Sequence, residues 1–204
     1  MRVTRTLAAL VAGIVASIGF TVGAAPAQAA PLAPVEKLDV DRYLGKWWQL
    51  ATVPSFWGVT CARDTSAFYT RIDAKTIGVD NQCTGPTGMK GGVIGQATVV
   101  DTKSNAQLSV RFPQTPASIN PNGAPNYIVA HLEDGGNPDG PYKYSIVGDP
   151  TRASGFLLSR DKVVSNSELR RLTKEIEKVG FNPCTFLVSP TTGGRSDYSP
   201  LCTI

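Results

Sequence analysis

Four cysteines and a single histidine are the residues of this chain best suited to covalent or metal chemistry. The cysteines are Cys61, Cys83, Cys184 and Cys202, and the histidine is His131. One histidine cannot build a zinc site of the H-E-x-x-H or C2H2 type, and the chain has no C-x-x-C motif. His131 stands beside acidic residues at the end of a β-rich run, which favours a solvated surface role. The sequence therefore predicts no metal site.

Patterns that bind phosphate, activate serine or recognise nucleic acid are also missing from the sequence. Residues 85–95 contain five glycines but lack both G-x-G-x-x-G spacing and a following G-K-[ST], and no G-x-S-x-G is present. The basic residues of 170–178 are interleaved with glutamates, which is typical of a solvated helix face. With 20 Lys+Arg against 16 Asp+Glu in 204 residues, the chain has an ordinary charge balance. We predict a protein that is not an enzyme, needs no cofactor and binds no nucleic acid.

The first 29 residues have the three parts of a secretory signal peptide. Two arginines lie within residues 1–6, a mostly apolar uncharged run covers 7–23, and 27–29 read Ala-Gln-Ala, an A-x-A cleavage site. An uncleaved membrane anchor is the alternative, but it needs about 20 apolar residues and usually lacks such a site. No cysteine follows the run, so a lipid-modified N-terminus is excluded. We predict export with cleavage after Ala29, and a mature chain without a transmembrane segment.

Export changes the interpretation of the cysteines, because an even number in an oxidising compartment indicates disulfides. Local pairing, Cys61–Cys83 with Cys184–Cys202, would close one hairpin and fix the C-terminal tail. Crossed pairing, Cys61–Cys202 with Cys83–Cys184, would tie that tail to the sheet. We favour the local pairing. It requires a β-bulge or a longer loop, because a two-residue turn at 73–74 would leave the first two cysteines out of register.

The elements that must position these residues are short strands separated by turn residues. Runs rich in β-formers alternate with segments rich in Gly, Pro, Asn and Asp, which favours an antiparallel meander, as a closed barrel or a sandwich. Closure has the advantage that no edge strand stays exposed. The eight predicted strands are Gly45–Thr52, Ser66–Ile72, Thr76–Asn81, Gly92–Val100, Gln107–Phe112, Tyr127–Leu132, Tyr142–Val147 and Gly155–Ser159.

One helix follows the strands. Ser165 and Glu168 have the spacing of a capping box, and an apolar stripe runs from Leu169 to Val179 at helical spacing. Gly180 supplies the stop, so the pattern predicts a helix of about 14 residues that lies on the outside of the sheet. A further strand, Thr185–Ser189, is predicted beside it. Residues 30–204 show no repeat and no long linker, and we interpret them as a single domain.

Four stretches occur in an order that is typical of one family. They are Leu38–Ala51 with Gly-x-Trp at its centre, Ser66–Thr70, Tyr144–Pro150 and Phe156–Arg160. They resemble, in turn, the first signature with its short 3₁₀ turn, the second strand, the last turn and the final Arg-ended signature of the lipocalins, especially bacterial and apolipoprotein D-like members. The resemblance covers about residues 36–190. It implies an all-β fold, an eight-stranded antiparallel up-and-down β-barrel with one C-terminal helix packed outside and a short ninth strand.

The resemblance also implies roles for individual residues. Gly45, Trp47 and Arg160 are expected to be structural, with the Arg160 guanidinium over the Trp47 indole at the closed end of the barrel. Pleat alternation then turns Gln49 and Ala51 inward with Trp47, and Leu158 and Phe156 inward with Arg160. By resemblance, the pocket-lining positions are Tyr69, Asn81, Phe112 and Phe156. We expect the ligand-binding residues to be Gln49, Tyr69, Asn81, Phe112, Phe156 and Leu158.

An eight-stranded barrel is wide enough for one small ligand when its interior side chains leave room. The sequence therefore predicts a secreted lipocalin that binds a small hydrophobic or amphipathic ligand of the fatty acid or lysophospholipid class, for transport, storage or sequestration. The alternative is a filled barrel that carries no cargo and docks an envelope protein. An enzyme, as in one isomerase branch of the family, would need a free thiol. Two departures from the family are a Pro/Asn-rich loop at 113–125 and an extension from about residue 190.

Overall fold

Eight antiparallel strands form a closed barrel, and a ninth short strand lies outside it. The computed structural model describes residues 30–113 and 123–204, and the predicted signal peptide, residues 1–29, lies outside the described residues. Residues 31–204 form one compact unit. The strands are β1 Gly45–Thr52, β2 Arg63–Arg71, β3 Thr76–Thr84, β4 Lys90–Val99, β5 Gln107–Arg111, β6 Tyr127–Glu133, β7 Tyr144–Gly148, β8 Gly155–Ser159 and β9 Leu187–Val188.

Closure comes from β1, which pairs with both β2 and β8. Trp47 lies opposite Ala67 on β2, and Gln49 lies opposite Leu158 on β8. The other barrel strands pair with their neighbours in sequence order, as in an up-and-down meander. Every barrel strand is therefore hydrogen-bonded on both sides, which removes the exposed edges of an open sheet. The predicted fold class, an eight-stranded barrel with an outer helix and a ninth strand, is confirmed.

The hairpin between β2 and β3 has the longer loop and the bulge that the local disulfide pairing was expected to need. The Asp73–Lys75 loop has three residues rather than two, and the Asp73 carboxylate accepts the N–H groups of Lys75 and Thr76. A register shift lies between Arg63 and Ser66, where Asp64 takes a left-handed φ of 57°. This irregularity is the bulge that the local disulfide requires.

Both disulfides connect cysteines that are close in sequence. Cys61 is bonded to Cys83 with a Cα–Cα distance of 5.5 Å, and Cys184 to Cys202 with 4.9 Å. Both distances lie in the ordinary range for a disulfide. The structure thus has the local pairing rather than the crossed one.

The outer helix α2, Asn166–Lys178, covers one side of the barrel. Ser165 caps it by accepting the N–H of Glu168, while the Glu168 carboxylate is engaged by Arg171 rather than completing the expected capping box. Leu169, Leu172 and Ile176 are buried against the outer face of the sheet, as their spacing predicts; their partners include Ile128, Ile146 and Leu157. The helix ends at Lys178, and Gly180 follows with a φ of 86°.

The segments that precede β1 and follow α2 pack against the barrel. A one-turn α-helix, α1 (Val40–Tyr43), precedes β1 where a 3₁₀ turn was predicted, and Asp39 caps it. After α2, a 3₁₀ turn at Pro183–Thr185 shortens the predicted Thr185–Ser189 strand to β9, which pairs with β1. The tail beyond 190 is fixed by Cys184–Cys202 and by buried Leu201. No helix among the described residues is long and apolar enough to cross a membrane.

Candidate ligand site in the barrel

The inner face of the barrel is apolar and is separate from the core under the helix. Strand alternation sends one set of side chains inward and the other outward, so two hydrophobic clusters form on opposite sides of the same sheet. The buried members of the inner cluster are Leu38, Tyr43, Trp47, Ala67, Tyr69, Ile77, Val79, Ala97, Val99, Ala106, Leu108, Val129, Val147 and Leu158. Any small molecule held inside the barrel would contact this set.

One end of the barrel is sealed by Trp47 and Arg160. The Trp47 indole is fully buried and donates its Nε1–H to the carbonyl of Tyr43 at 2.8 Å. The Arg160 guanidinium lies 3.9 Å from the indole centroid. It also donates to three backbone carbonyls, those of Tyr142, Lys46 and Arg42, at 2.8–3.0 Å. The base is therefore stabilised by a cation–π contact and charge-assisted hydrogen bonds.

Gly45 supplies the backbone conformation that starts β1 beside Arg160. Its φ of 91° is a conformation that side chains disfavour, and a Cβ there would lie 3.4 Å from Arg160 Nη1. The Gly-x-Trp pattern thus combines a backbone turn with a left-handed φ and the indole that the guanidinium covers.

A cluster of four hydroxyls lies just above the base. Tyr43 Oη is 2.8 Å from Tyr127 Oη and 3.2 Å from Ser145 Oγ, and Tyr69 Oη is 3.1 Å from Tyr127 Oη. Tyr43 and Tyr69 stack with ring centroids 5.7 Å apart. Burial raises the pKa of Tyr69 to about 12, and burial also raises the pKa values of Tyr43 and Tyr127 well above 10. All three phenols therefore keep their protons at neutral pH.

Towards the other end of the barrel, the inward side chains become partly accessible. Asn81, Val93 and Val110 continue the inner faces of β3, β4 and β5, and each is only half-buried. Phe112 and Phe156 are partly buried and pack against the inner cluster. The inner wall is thus buried at the Trp47 end and partly exposed towards the opposite end, which we call the open end.

The structure brings together most, but not all, of the residues that the sequence predicts for the site. Tyr69, Phe112, Phe156 and Leu158 belong to the inner cluster. Asn81 lies opposite inward Ala67.

Two predicted inward positions on β1 differ. Gln49 is level with inward Leu158, but its amide donates at 2.7 Å to Oγ of Ser189, the residue that follows β9 outside the barrel. The predicted inward orientation of Ala51 is wrong, because a register shift between Gln49 and Ala51 turns Ala51 into the cluster under the helix.

Tyr43, Tyr127 and Ser145 were not predicted from the sequence as site residues. Tyr127 and Val129 both face inward on β6, as alternation requires. A second register shift, between Val129 and His131, interrupts this alternation, so the inward face of the strand cannot be deduced from the sequence. Tyr43 precedes the Gly-x-Trp motif by two residues, and this closeness to the barrel base was the available signal.

The groups suited to chemistry lie away from the interior or are already bonded. All four cysteines are in disulfides. His131 is on the outer face, where its Nε2 lies 2.9 Å from Glu133 Oε1, and Arg171 of α2 donates to both oxygens of Glu133. Within the described residues, no group of three or more His, Cys, Asp or Glu is placed to hold a metal ion.

Exposed apolar residues mark the open end. Phe56 and Val59, in the 3₁₀ turn between β1 and β2, are 64% and 77% exposed, and Met89, in the loop between β3 and β4, is 72% exposed. The Cys61–Cys83 disulfide joins these two connections. The connections 53–62 and 85–89 contain no acidic residue, while the cations Arg63 and Lys90 begin the adjoining strands. We call Phe56, Val59 and Met89 the apolar rim.

A closed antiparallel barrel with an apolar interior, sealed at the Trp47 end, defines the class of up-and-down β-barrels. Comparison with known proteins identifies the family within this class. A profile of the lipocalin-like domain matches residues 38–191, and the chain belongs to the lipocalin family. Temperature-induced lipocalin-1 of Arabidopsis thaliana is 30% identical over 149 residues, which are 72% of this chain and 76% of that protein.

Solved structures share the fold at low sequence identity. Lobster apocrustacyanin A1 is similar with a TM-score of 0.56 at 11% identity, covering 82% of this chain and 93% of its own. The cockroach allergen Per a 4 gives 0.54 at 13%, covering 81% and 96%. The amine-binding protein of Rhodnius prolixus, in its tryptamine complex, gives 0.51 at 15%, covering 79% and 85%.

Proposed function

We propose that this lipocalin is exported and binds one small hydrophobic or amphipathic molecule, of the fatty acid or lysophospholipid class, inside the barrel. Its function is transport, storage or sequestration, and no bond is made or broken. One observation supports this most strongly: the apolar inner wall is buried at the Trp47 end and only half-buried around Asn81, Val93 and Phe112. Removal of the cargo's apolar surface from water, at about 25 cal/mol per Å², supplies the affinity.

The binding residues that we propose on this wall are Tyr69, Asn81, Phe112, Phe156 and Leu158. Gln49 is the sixth proposed binding residue because its backbone is level with Leu158, and its amide would have to leave Ser189 to meet a ligand. The oxidising environment that export implies agrees with the two disulfides.

Two neighbouring residues of β4 provide a matched test of binding in the interior. Val93 faces inward opposite Asn81, whereas Ile94 points outward and is 65% exposed. Native mass spectrometry with palmitic acid and a lysophospholipid is expected to show one bound molecule for wild type and Ile94→Trp. Val93→Trp fills the accessible part of the interior and is expected to bind at least about tenfold more weakly, which corresponds to about 1.4 kcal/mol. Equal binding by both variants would place the ligand outside the barrel.

The apolar rim favours a second proposal, association with the cell envelope through a lipid surface. Exposed Phe56, Val59 and Met89 supply apolar contact, and Arg63 and Lys90 supply cations where the two connections carry no acid. This composition fits a membrane with anionic headgroups, which would also be a source of cargo. Vesicles containing anionic lipid are expected to sediment the protein at low salt. The triple change of the rim residues to Ser is expected to abolish sedimentation while leaving palmitic acid binding intact.

Sedimentation of the rim variant at the wild-type level would contradict docking through the rim. A protein that binds neither palmitic acid nor lysophospholipid, but is captured by an envelope protein, would support the filled-barrel alternative instead.

A further inference from the structure

The hydroxyl cluster at the base of the barrel has four hydroxyl protons but only three hydrogen bonds between its members. Ser145, Tyr43, Tyr127 and Tyr69 form a linear chain in which neighbouring oxygens are 3.2, 2.8 and 3.1 Å apart. Each hydroxyl carries one proton to donate, so four donors share three contacts. Since the raised pKa values keep the phenols protonated, one O–H must donate to an acceptor outside this row of four hydroxyls.

Burial decides at which end this extra donor lies. Ser145 is 0% exposed and Tyr43 is 2% exposed, so an unused proton on either would be a buried donor without a partner. Tyr69, at 8% exposed, is also buried but is more accessible than these two, and Tyr127 is half-buried. The favourable direction is therefore from Ser145 to Tyr43 and from Tyr43 to Tyr127, which leaves the extra O–H on Tyr127 or Tyr69.

We propose that Tyr69 and Tyr127 form a head-group subsite that donates a hydrogen bond to an acceptor oxygen, the carboxyl group of a fatty acid, at the bottom of the barrel. The subsite rests on the proposed function, and it fixes the orientation of the cargo: the polar head is down, and the tail extends towards the open end. The side chains above it are apolar, with Phe112 and Phe156 among them, which suits an alkyl tail.

The surrounding charges agree with an acceptor head rather than a donor head. Arg160 lies beneath Trp47, 3.9 Å from the indole, and its positive charge acts on both Tyr43 and Tyr69. An alkylammonium head has only donors, so it would meet both a donor and a like charge at this position.

Competition between two ligands with the same tail tests the subsite. Palmitic acid and hexadecylamine compete against a bound fluorescent fatty acid, and wild type is expected to prefer the acid. The double variant Tyr69→Phe with Tyr127→Phe keeps both rings but removes both donors, and it is expected to lose at least about tenfold of that preference. Tyr69→Phe alone is expected to lose less, because the extra proton then lies on Tyr127.

Ser145→Ala is the matched control, because it removes a hydroxyl of the same chain at the sealed end and leaves the extra donor in place. Its preference is expected to stay within about twofold of wild type. Unchanged preference in the double variant would overturn the subsite but leave the proposed function standing. Wild type that binds neither the acid, the fluorescent probe nor a lysophospholipid would overturn the proposed function itself.

Contacts in the wild-type complex give a readout that depends on no variant. Intermolecular NMR contacts are expected to place the C2 protons of bound palmitic acid beside the ring of Tyr69, and its terminal methyl beside Phe112. The reverse order would overturn the subsite even if the variants failed to fold.

Discussion

Removing the Arg160 guanidinium is expected to destabilise the whole barrel, because this group contacts three segments at the base. It covers Trp47 at 3.9 Å and donates to the carbonyls of Tyr142, Lys46 and Arg42. The cation–π contact is worth about 0.5–2 kcal/mol. Each hydrogen bond from a charged donor adds about 1.5–3 kcal/mol at most, but water rehydrates the carbonyls at this half-buried position. We expect Arg160→Ala to lower the free energy of unfolding by about 3 kcal/mol.

Urea unfolding of the oxidised protein, followed by tryptophan fluorescence, measures this loss. With a slope of about 2 kcal/mol per M for a domain of this size, the midpoint of Arg160→Ala is expected about 1.5 M below that of wild type. Arg160→Lys keeps the charge but not the planar fork, so it is expected to recover less than half of the loss. A midpoint shift below about 0.3 M would refute the reasoning, and full recovery by lysine would show that charge alone matters.

Two further predictions concern acid stability and the backbone turn at the base. Burial alone would raise the pKa of Asp64, but hydrogen bonds from Lys162 and Thr192 lower it to about 2, below its ordinary 3.8. Its contribution to the free energy of unfolding, about 1 kcal/mol after solvent screening, is therefore complete above about pH 5 and lost between about pH 4 and 2. The difference in unfolding free energy between wild type and Asp64→Asn is expected to shrink over that interval. A difference that does not change with pH would contradict this prediction. Gly45→Ala is expected to lower the thermal midpoint by about 2–8 °C, because alanine disfavours a φ of 91°. Gly88→Ala, at a φ of 86° with open space around it, measures this backbone cost without the contact with Arg160. Equal midpoint losses in both variants would mean that crowding by Arg160 adds nothing.

The sequence was sufficient for the architecture because local signals and the global fold agree. Alternating strands, the turn residues between them and the stripe beginning at Leu169 predict the barrel strands and the outer helix. Trp47 and Arg160 meet as the motif resemblance implies, although they are 113 residues apart in the chain. Hydrophobic periodicity carries this information because one face of each element must be buried.

The finer features were not predictable, because they depend on small irregularities that have no clear sequence signal. A register shift after Gln49 reverses the face that Ala51 presents, and another after Val129 does the same on β6. A single extra residue exchanges the inside and outside of a strand, so alternation fails beyond it. The hydroxyl cluster joins Tyr43 to Tyr127, and only the closed topology reveals that pair.

Lipid-extract mass spectrometry of the protein purified from its native source tests the central claim most directly. We expect one fatty acid or lysophospholipid per protein molecule, released on denaturation and absent when Val93→Trp is purified in the same way. A wild-type protein that carries no lipid and takes up none on incubation with the same extract would contradict it.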